Sequence, residues 1–238
     1  MKIALIGYGK MGKAIEAIAL NRGHEISFKI SIDNQPDLLL INPTNTDVAI
    51  EFTQPESAFD NLKQCIENSI PVVCGSTGWL ENKPAIEKLT IEKNTSFFYA
   101  SNFSVGVNIF FHLNKVLAKL MSGFSGYEIG MEEIHHTEKK DAPSGTAITL
   151  AEGILENNST KTNWVNSSRY LENELPIASK RIENVPGTHV VAYNSVIDSI
   201  EIAHTAHSRE GFALGAVLAA EFIATKKGVF GMDDMLKF

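Results

Sequence analysis

Residues 2–12 read KIALIGYGKMG, and this stretch decides the fold of the first part of the chain. Its apolar run, 2–6, is typical of a buried parallel strand, and apolar residues then recur with helical spacing. Gly7 permits a tight turn, Gly9 lets the backbone approach a pyrophosphate, and Gly12 allows the helix to pack closely on the strand. Because strand, turn and helix come in this order, the stretch predicts a dinucleotide-binding unit rather than a purely structural turn.

A carboxylate stands where such a unit binds the ribose of its nucleotide. The apolar run 26–32 ends at Asp33, about twenty residues beyond Gly12. Asp33 can bind the ribose hydroxyls, and it would repel the additional phosphate of an NADP-type cofactor. Asn34 brings no positive charge to offset that repulsion. The sequence therefore favours NADH as the cofactor, with NADPH as the alternative.

Strands and helices alternate through the first half of the chain. Strands are predicted at 47–52, 71–74 and 96–100, and helices at 56–68 and 82–94. This order predicts a parallel sheet with helices on both faces. Ligands bind such sheets beyond the carboxyl ends of the strands, where three polar turns follow at 52–55, 75–78 and 100–103. We expect these turns to contact the nicotinamide and its ribose.

From residue 127 the pattern changes to strands without intervening helices. Strands are predicted at 127–134, 182–184, 188–194 and 198–206, with an exposed excursion at 157–173. A helix at 212–225 returns to the first domain, after an exposed pair formed by Arg209 and Glu210. The chain is thus predicted to be α/β: a Rossmann-type parallel-sheet domain, 1–103 and 211–238, plus a smaller α+β domain, 104–210, with a mixed or antiparallel sheet.

The segment 132–147, EEIHHTEKKDAPSGTA, combines proton-transfer groups with an anion cradle. Its last residues begin a helix, and the backbone N–H groups of Ser144, Gly145 and Thr146 can hold a carboxylate or phosphate. Lys139 and Lys140 suit the same anion. A polar loop that merely caps a helix is the alternative, but capping needs only the serine or an aspartate. Two histidines and two lysines upstream therefore favour a reaction site.

Composition agrees with a globular enzyme of two modest cores. The 238 residues are 44% apolar and carry a net charge of −7, which argues against a nucleic-acid surface. Cys65 and Cys74 form no disulfide framework, and neither a secretory signal nor a bilayer-spanning run is present, so a cytoplasmic protein without a membrane partner is expected.

No metal site is expected. The adjacent histidines of the 132–147 segment cannot easily supply a tetrahedral set of ligands, and no cysteine or suitably spaced carboxylate completes one. His204 and His207 stand three residues apart at the end of a predicted strand. A structural or domain-interface role is the simpler interpretation for both.

Taken together, the motifs resemble those of the 4-hydroxy-tetrahydrodipicolinate reductase family over nearly the whole chain. The resemblance rests on the glycine turn, the three polar turns, 101–108, and above all His135-His136 followed by Lys139 and 141–147. It implies that His135 and Lys139 are catalytic and that His136, Gly145 and Thr146 contact the substrate. It also implies the following cofactor contacts: Gly7, Tyr8, Gly9, Lys10, Met11, Gly12, Asp33, Gly75, Ser76, Thr77, Ala100, Ser101, Asn102 and Phe103.

The resemblance further implies NAD(P)H-dependent reduction of 4-hydroxy-2,3,4,5-tetrahydrodipicolinate, a small cyclic dicarboxylate, to tetrahydrodipicolinate in diaminopimelate and lysine biosynthesis. It implies a homotetramer that assembles through the sheet of the second domain. His135 and Lys139 are both candidates for the proton donor. The alternatives are another two-domain NAD(P)H-dependent reductase or amino-acid dehydrogenase, and a non-catalytic NAD(H)-sensing protein.

Overall fold

Two compact units, each with its own sheet, make up the computed structural model, which describes residues 1–208 and 210–238. The first unit comprises Met1–Val105 and Glu210–Phe238, and the second comprises Gly106–Arg209. Arg209 lies outside the described residues, so its pairing with Glu210 stays a prediction. The assignment of cofactor and substrate binding to the two units also stays a prediction.

The described residues form eleven strands and seven α-helices. The strands are β1 (Lys2–Ile6), β2 (Glu25–Ile30), β3 (Val48–Glu51), β4 (Val72–Cys74), β5 (Ser96–Tyr99), β6 (Glu128–His135), β7 (Asn163–Val165), β8 (Glu174–Arg181), β9 (Gly187–Asn194), β10 (Ser199–Ala206) and β11 (Gly228–Phe230). The α-helices are α1 (Lys10–Asn21), α2 (Pro55–Glu67), α3 (Lys83–Glu92), α4 (Val105–Met121), α5 (Gly145–Leu155), α6 (Glu210–Ile223) and α7 (Met232–Leu236). Short 3₁₀ segments occupy Ile32–Leu40 and Leu80–Asn82.

The first unit is a six-stranded parallel sheet in the order β11-β5-β4-β3-β1-β2. The chain moves outward from β1 in one direction through β2 and in the other through β3, β4 and β5. Ligands of such sheets bind beyond the carboxyl ends of the strands at this switch point, next to the glycine turn after β1. The predicted Rossmann-type parallel sheet is therefore confirmed.

Strand β1 shows why this sheet is buried on both faces. Alternate side chains of a strand point to opposite faces, so Ile3 and Leu5 join one core cluster while Ala4 and Ile6 join the other. The first cluster contains residues of α1 and α6, and the second contains residues of α2. A continuous apolar run is what a strand covered by helices on both sides requires.

The second unit contains a mixed sheet in the order β10-β9-β6-β8-β7. Strand β9 is antiparallel to β10 and β6, whereas β8 is parallel to β6 and β7. Buried residues of α4 and α5, among them Phe110 and Leu150, pack in one cluster with Ile129 and Tyr193 of the sheet. This arrangement confirms the predicted mixed sheet in a second domain.

One predicted strand is wrong, and several elements were not predicted. Residues 182–184 form a turn after β8, with Asn184 at φ +60° and Pro186 close behind. Strand β7 lies within the predicted excursion, and β8, β11 and α4 had no counterpart among the predicted elements. Strand β8 contains Pro176 and ends in charged residues, so its sequence lacks the apolar alternation that marks a strand. Across 1–208 and 210–238, no helix has the length and apolar character needed to cross a membrane.

Candidate active site

The glycine turn between β1 and α1 has the shape that a nucleotide phosphate needs. Gly7 has φ +99°, and a Cβ there would lie 2.1 Å from the carbonyl oxygen of Phe52. A Cβ on Gly12 would lie 2.3 Å from the carbonyl oxygen of Gly7. A Cβ on Gly9, by contrast, would meet no atom within 4 Å, and no side chain caps α1. The first amides of α1 therefore remain available to an anion, which fits the pyrophosphate of a dinucleotide.

The other residues of the turn lie at the start of α1. Lys10 begins the helix and is exposed, whereas Met11 packs against the core. The Tyr8 hydroxyl donates a hydrogen bond to Glu16, and Lys29 Nζ lies 5.2 Å from the centroid of the Tyr8 ring. Lys29 is itself paired with Glu16 at 2.5 Å, so its charge is already balanced.

Asp33 lies on the 3₁₀ segment that follows β2, where its side chain is exposed. Its backbone N–H donates to Ser31 Oγ at 3.3 Å. The Asn34 side chain accepts from the Ser31 N–H at 2.7 Å and donates to Asp37 at 3.0 Å. Asn34 therefore serves the local turn, and it supplies no cation beside Asp33.

A buried glutamate, which the sequence analysis missed, joins the turns after β3 and β4. Glu51 is fully buried at the end of β3. Its carboxylate accepts hydrogen bonds from the Thr53 N–H at 3.0 Å, Ser76 Oγ at 3.1 Å and Cys74 Sγ at 3.1 Å. Burial, and then the Glu51 charge, raise the pKa of the Cys74 thiol. The signal that could have revealed Glu51 is a charged residue at the end of the apolar run of β3.

The predicted cofactor residues after β4 and β5 differ in exposure. Gly75 packs so closely on the Phe52 ring that a Cβ would lie 2.2 Å from it, Ser76 is buried, and Thr77 is exposed. Ala100 and Phe103 are buried in the core, and the Phe103 ring lies 5.5 Å from that of Phe52. Ser101 is exposed and Asn102 is half-buried, so these two offer polar groups near the surface.

Strand β6 brings a histidine and a carboxylate to one buried face of the second unit. Residues two apart on a strand point to the same face, and Glu133 and His135 are 0% and 7% exposed. His135 Nδ1 lies 3.4 Å from Glu133 Oε2. The same oxygen accepts the backbone N–H of Ser144 at 3.0 Å. Glu133 was quoted in the reactive segment but given no role, although its spacing from His135 was the available signal.

Arg181, at the end of β8, connects Glu133 with the loop that carries Lys139. Its Nη1 and Nη2 lie 3.4 and 3.3 Å from Glu133 Oε1. Its Nη2 also donates to the carbonyl of Asp141 at 2.5 Å, and its Nε to the carbonyl of Lys139 at 3.3 Å. Lys139 Nζ is paired with the Asp141 carboxylate at 2.8 Å. No sequence pattern pointed to Arg181, because β8 was not predicted.

Helix α5 begins beside this group. Ser144 Oγ accepts from the Ala147 N–H at 3.2 Å and contacts His189 Nε2, on β9, at 3.1 Å. The Ser144 N–H is already bonded to Glu133. Of the three backbone N–H groups predicted to bind an anion, those of Gly145 and Thr146 therefore remain for a ligand. A Cβ on Gly145 would meet no atom within 4 Å, which leaves its approach open.

The imidazoles of the two buried histidines, His135 and His189, are held in their neutral form. Burial lowers the pKa of His135, and Lys139 and Arg181 lower it further, while Glu133 and Asp141 act in the opposite direction. Burial and then His135 lower the pKa of His189 to about 4. Burial would raise the pKa of Glu133, but the nearby polar groups of Ser144 and Ser179 hold it below its usual value. The unliganded site therefore pairs an ionised carboxylate with two neutral imidazoles at pH 7.

Distances alone would also allow a metal ion here. Among the described residues, one ligand atom each of Glu133, His135 and His189 lie within 4.8 Å of one another. Both Glu133 oxygens already accept hydrogen bonds, one of them from the cationic Arg181. The expectation of no metal stays a prediction. His136, next in the chain, is half-buried, and His204 pairs with His189 across β9 and β10.

A parallel sheet with a glycine turn, together with a buried histidine–carboxylate pair beside an open helix N-terminus, defines a two-domain pyridine-nucleotide-dependent oxidoreductase. The N-terminal model of the dihydrodipicolinate reductase family matches residues 1–103, and the C-terminal model matches 106–236. The chain belongs to the dihydrodipicolinate reductase family. It is thus a reductase of diaminopimelate and lysine biosynthesis.

Individual relatives agree with this membership over almost the full length. The 4-hydroxy-tetrahydrodipicolinate reductase of Christiangramia forsetii is 52% identical over 236 residues, covering 99% of this chain and 98% of the relative. That of Neisseria gonorrhoeae is 33% identical, covering 93% and 83%. A solved dihydrodipicolinate reductase from Paenisporosarcina sp. TG-14, bound to dipicolinate, shares the fold with a TM-score of 0.77 at 23% identity, covering 98% and 99%.

Proposed function

We propose that this protein reduces 4-hydroxy-2,3,4,5-tetrahydrodipicolinate to tetrahydrodipicolinate with NAD(P)H, and that His135 or Lys139 supplies the proton. The observation that carries the proposal is the close grouping of His135, Glu133 and Ser144 at the N-terminus of α5. Proton-transfer groups and an anion-binding helix end thereby share one small region of the second unit. The solved Paenisporosarcina relative is bound to dipicolinate, a planar dicarboxylate, which supports a small cyclic dicarboxylate as substrate.

The second unit offers two kinds of group to a dicarboxylate. The amides of Gly145 and Thr146, at the positive end of the α5 dipole, suit one carboxylate. Lys139 supplies a mobile cation close by, currently paired with Asp141 at 2.8 Å. A substrate carboxylate competes with Asp141 for that ammonium group. His136, half-buried next to His135, adds a further hydrogen-bonding group.

The reduction adds one hydride and one proton to the substrate ring. When bound, the nicotinamide supplies a hydride to the conjugated C=C–C=N system that loss of water creates. The negative charge is then shared between the ring nitrogen and the ring carbon next to the C=N bond. Nε2 of protonated His135 or Nζ of Lys139 neutralises it with a proton, which the imine product carries on that carbon. A positioned acid of this kind contributes roughly 10²–10⁴-fold to the rate.

The first unit carries the groups proposed for the cofactor. The open amides at the start of α1 suit the pyrophosphate, and exposed Asp33 suits the ribose hydroxyls. We propose a preference for NADH because the nearby cation, Lys29, is already paired with Glu16. The polar turns after β4 and β5 are proposed to contact the nicotinamide end. We also propose a cytoplasmic homotetramer.

Steady-state turnover tests this function and separates it from its rivals. The purified protein is mixed with freshly generated substrate and either NADH or NADPH, and the nicotinamide absorbance is followed. We expect oxidation of both cofactors, with the higher kcat/KM for NADH. A clear preference for NADPH would overturn the assigned role of Asp33. Binding of NADH without turnover would indicate a sensor, and turnover only with other imines or keto acids a different dehydrogenase.

A further inference from the structure

We propose that Glu133 and Arg181 are positioning residues for the reduction: Glu133 orients the His135 imidazole, and Arg181 holds the main chain that carries Lys139. The inference rests on the proposed function and deepens it, because it explains what holds both candidate proton donors, His135 and Lys139, in position. Neither residue is placed to touch the substrate itself. Glu133 acts through His135, and Arg181 acts through Lys139; these two are the residues proposed to contact the substrate.

The first line of support is the environment of the His135 ring. Its Nδ1 is enclosed and faces Glu133 Oε2 at 3.4 Å, with no hydrogen bond of ordinary geometry among the described residues. A carboxylate at this position favours the tautomer with hydrogen on Nδ1. Nε2 is then the nitrogen that exchanges a proton with a ligand. A Cβ on Gly187 would lie 3.1 Å from Nε2, so the glycine keeps the space beside this nitrogen free.

The second line of support is the number of hydrogen bonds that the side chains of Glu133 and Arg181 make. The Glu133 carboxylate receives the Ser144 N–H at the start of α5 and the guanidinium of Arg181. The same guanidinium donates to the carbonyls of Asp141 and Lys139. A rigid fork of five donors can serve three acceptors at once, which the single ammonium of a lysine cannot do in the same geometry.

These bonds connect three strand or helix ends with one loop. Glu133 belongs to β6, Arg181 ends β8, and Ser144 caps α5. Lys139 and Asp141 lie in the loop between β6 and α5. Because the loop is bonded through its main-chain carbonyls, its path does not depend on which side chains bind the substrate. A purely structural ion pair would stabilise the unit, and its loss would not lower the turnover of a variant that still folds.

Charge-altering variants distinguish positioning from structural support. The groups facing His135 are Glu133, Lys139, Asp141, Arg181 and the neutral ring of His189. Removal of the negative charge by Glu133→Gln should move the His135 titration to lower pH. Removal of the positive charge by Arg181→Gln should move it to higher pH. Arg181→Lys keeps the charge and should leave the titration near its original position.

Turnover supplies the second readout. Glu133→Gln should lower kcat by tenfold or more, up to the roughly 10²–10⁴-fold that a positioned acid contributes. Arg181→Lys should lower kcat/KM at least about tenfold, as loss of an orienting partner commonly does, although the charge is kept. NADH affinity should not change in either variant. Glu132→Gln is the matched control, since Glu132 is paired with Lys180 at 2.5 Å and its neutralisation should alter neither readout.

The measurements are NMR titration of the His135 ring, assigned with His135→Ala, and steady-state kinetics on the full-length protein. A wild-type kcat in Glu133→Gln together with a wild-type kcat/KM in Arg181→Lys would overturn the proposal, as would a His135 titration that moves the same way in Glu133→Gln and Arg181→Gln. If Glu133→Gln does not fold, the two arginine variants decide the matter. A wild-type protein without turnover would instead refute the proposed function.

Discussion

At the scale of single residues, the chemistry of the second unit centres on the imidazole of His135. Burial lowers its pKa, so in the unliganded protein the imidazolium forms only below the ordinary value of about 6.5. A bound dicarboxylate brings negative charge, which favours the protonated ring. If the substrate binds beside His135 as proposed, we expect its binding to favour protonation of this residue.

Replacement of His135 by alanine should remove the general acid if this residue supplies the proton. We expect kcat to fall roughly 10²–10⁴-fold with NADH affinity unchanged, because the proposed cofactor groups lie in the first unit. Steady-state kinetics and NADH fluorescence titration give the two values. His207→Ala, which alters an exposed histidine beyond the end of β10, is the control. Wild-type turnover in His135→Ala would remove the residue from the mechanism.

Comparison with Lys139→Ala identifies the donor. If His135 donates, kcat/KM falls as the pH rises through the His135 pKa, and His135→Ala abolishes this limb. If Lys139 donates, His135→Ala leaves most of the turnover in place, whereas Lys139→Ala removes it. In both cases Lys139→Ala should raise KM, because its ammonium is the cation proposed to bind a carboxylate.

His189 makes the stability of the second unit depend on pH. Its pKa of about 4 in the folded state lies below the unfolded value near 6.5, so the unfolded chain binds more protons in between. We therefore expect the contribution of neutral His189 to stability to be present in full above about pH 6.5 and to fall by about 3 kcal/mol as the pH drops to about 4. Urea unfolding of wild type and His189→Gln at pH 7 and pH 4.5 measures this. An equal loss of stability in both proteins would contradict the prediction.

At the scale of elements, the turn between β1 and α1 depends on two glycines for different reasons. Gly12→Ala places a methyl group 2.3 Å from the Gly7 carbonyl oxygen, so α1 must move away from the turn. We expect a loss of about 1–3 kcal/mol in stability and weaker NADH binding. Gly9→Ala meets no atom within 4 Å and should weaken NADH binding without loss of stability.

Gly123→Ala is the control for both glycine variants, since its Cβ also meets no atom within 4 Å and it lies in the second unit. Thermal unfolding and NADH titration of the three proteins provide the comparison. If Gly9→Ala binds NADH as tightly as wild type, the pyrophosphate does not approach this turn.

The elements that sequence patterns predicted are those whose signal is local. Strand β1 and the glycine turn follow from one apolar run and its glycines, and helices 56–68 and 82–94 correspond to α2 and α3 within a few residues. Strand β8 was missed because its own sequence does not alternate between apolar and polar residues. It is a strand because it pairs with β6 on one side and β7 on the other. The predicted strand 182–184 failed because Asn184 adopts a left-handed conformation that ends the extended chain.

At the scale of the whole molecule, the two units have separate cores. The oligomeric state is the property to be measured at this scale. We expect a homotetramer in solution through the sheet of the second unit, with a mass of four times 26.1 kDa. Light scattering coupled to size-exclusion chromatography at micromolar concentration measures this mass. A monomeric mass would remove the prediction, whereas the turnover assay would stay valid for the single chain.

The sequence by itself determined the Rossmann half, the family, and the positions of His135, Lys139, Gly145 and Thr146, because each depends on neighbours within a few residues. Only the tertiary structure showed that Glu133, within the 132–147 segment, meets Arg181 and His189. They come from β6, β8 and β9, and their meeting depends on strand order and register. Those are set by packing between residues as far apart in the chain as Glu128 and Asn194, which no local pattern encodes.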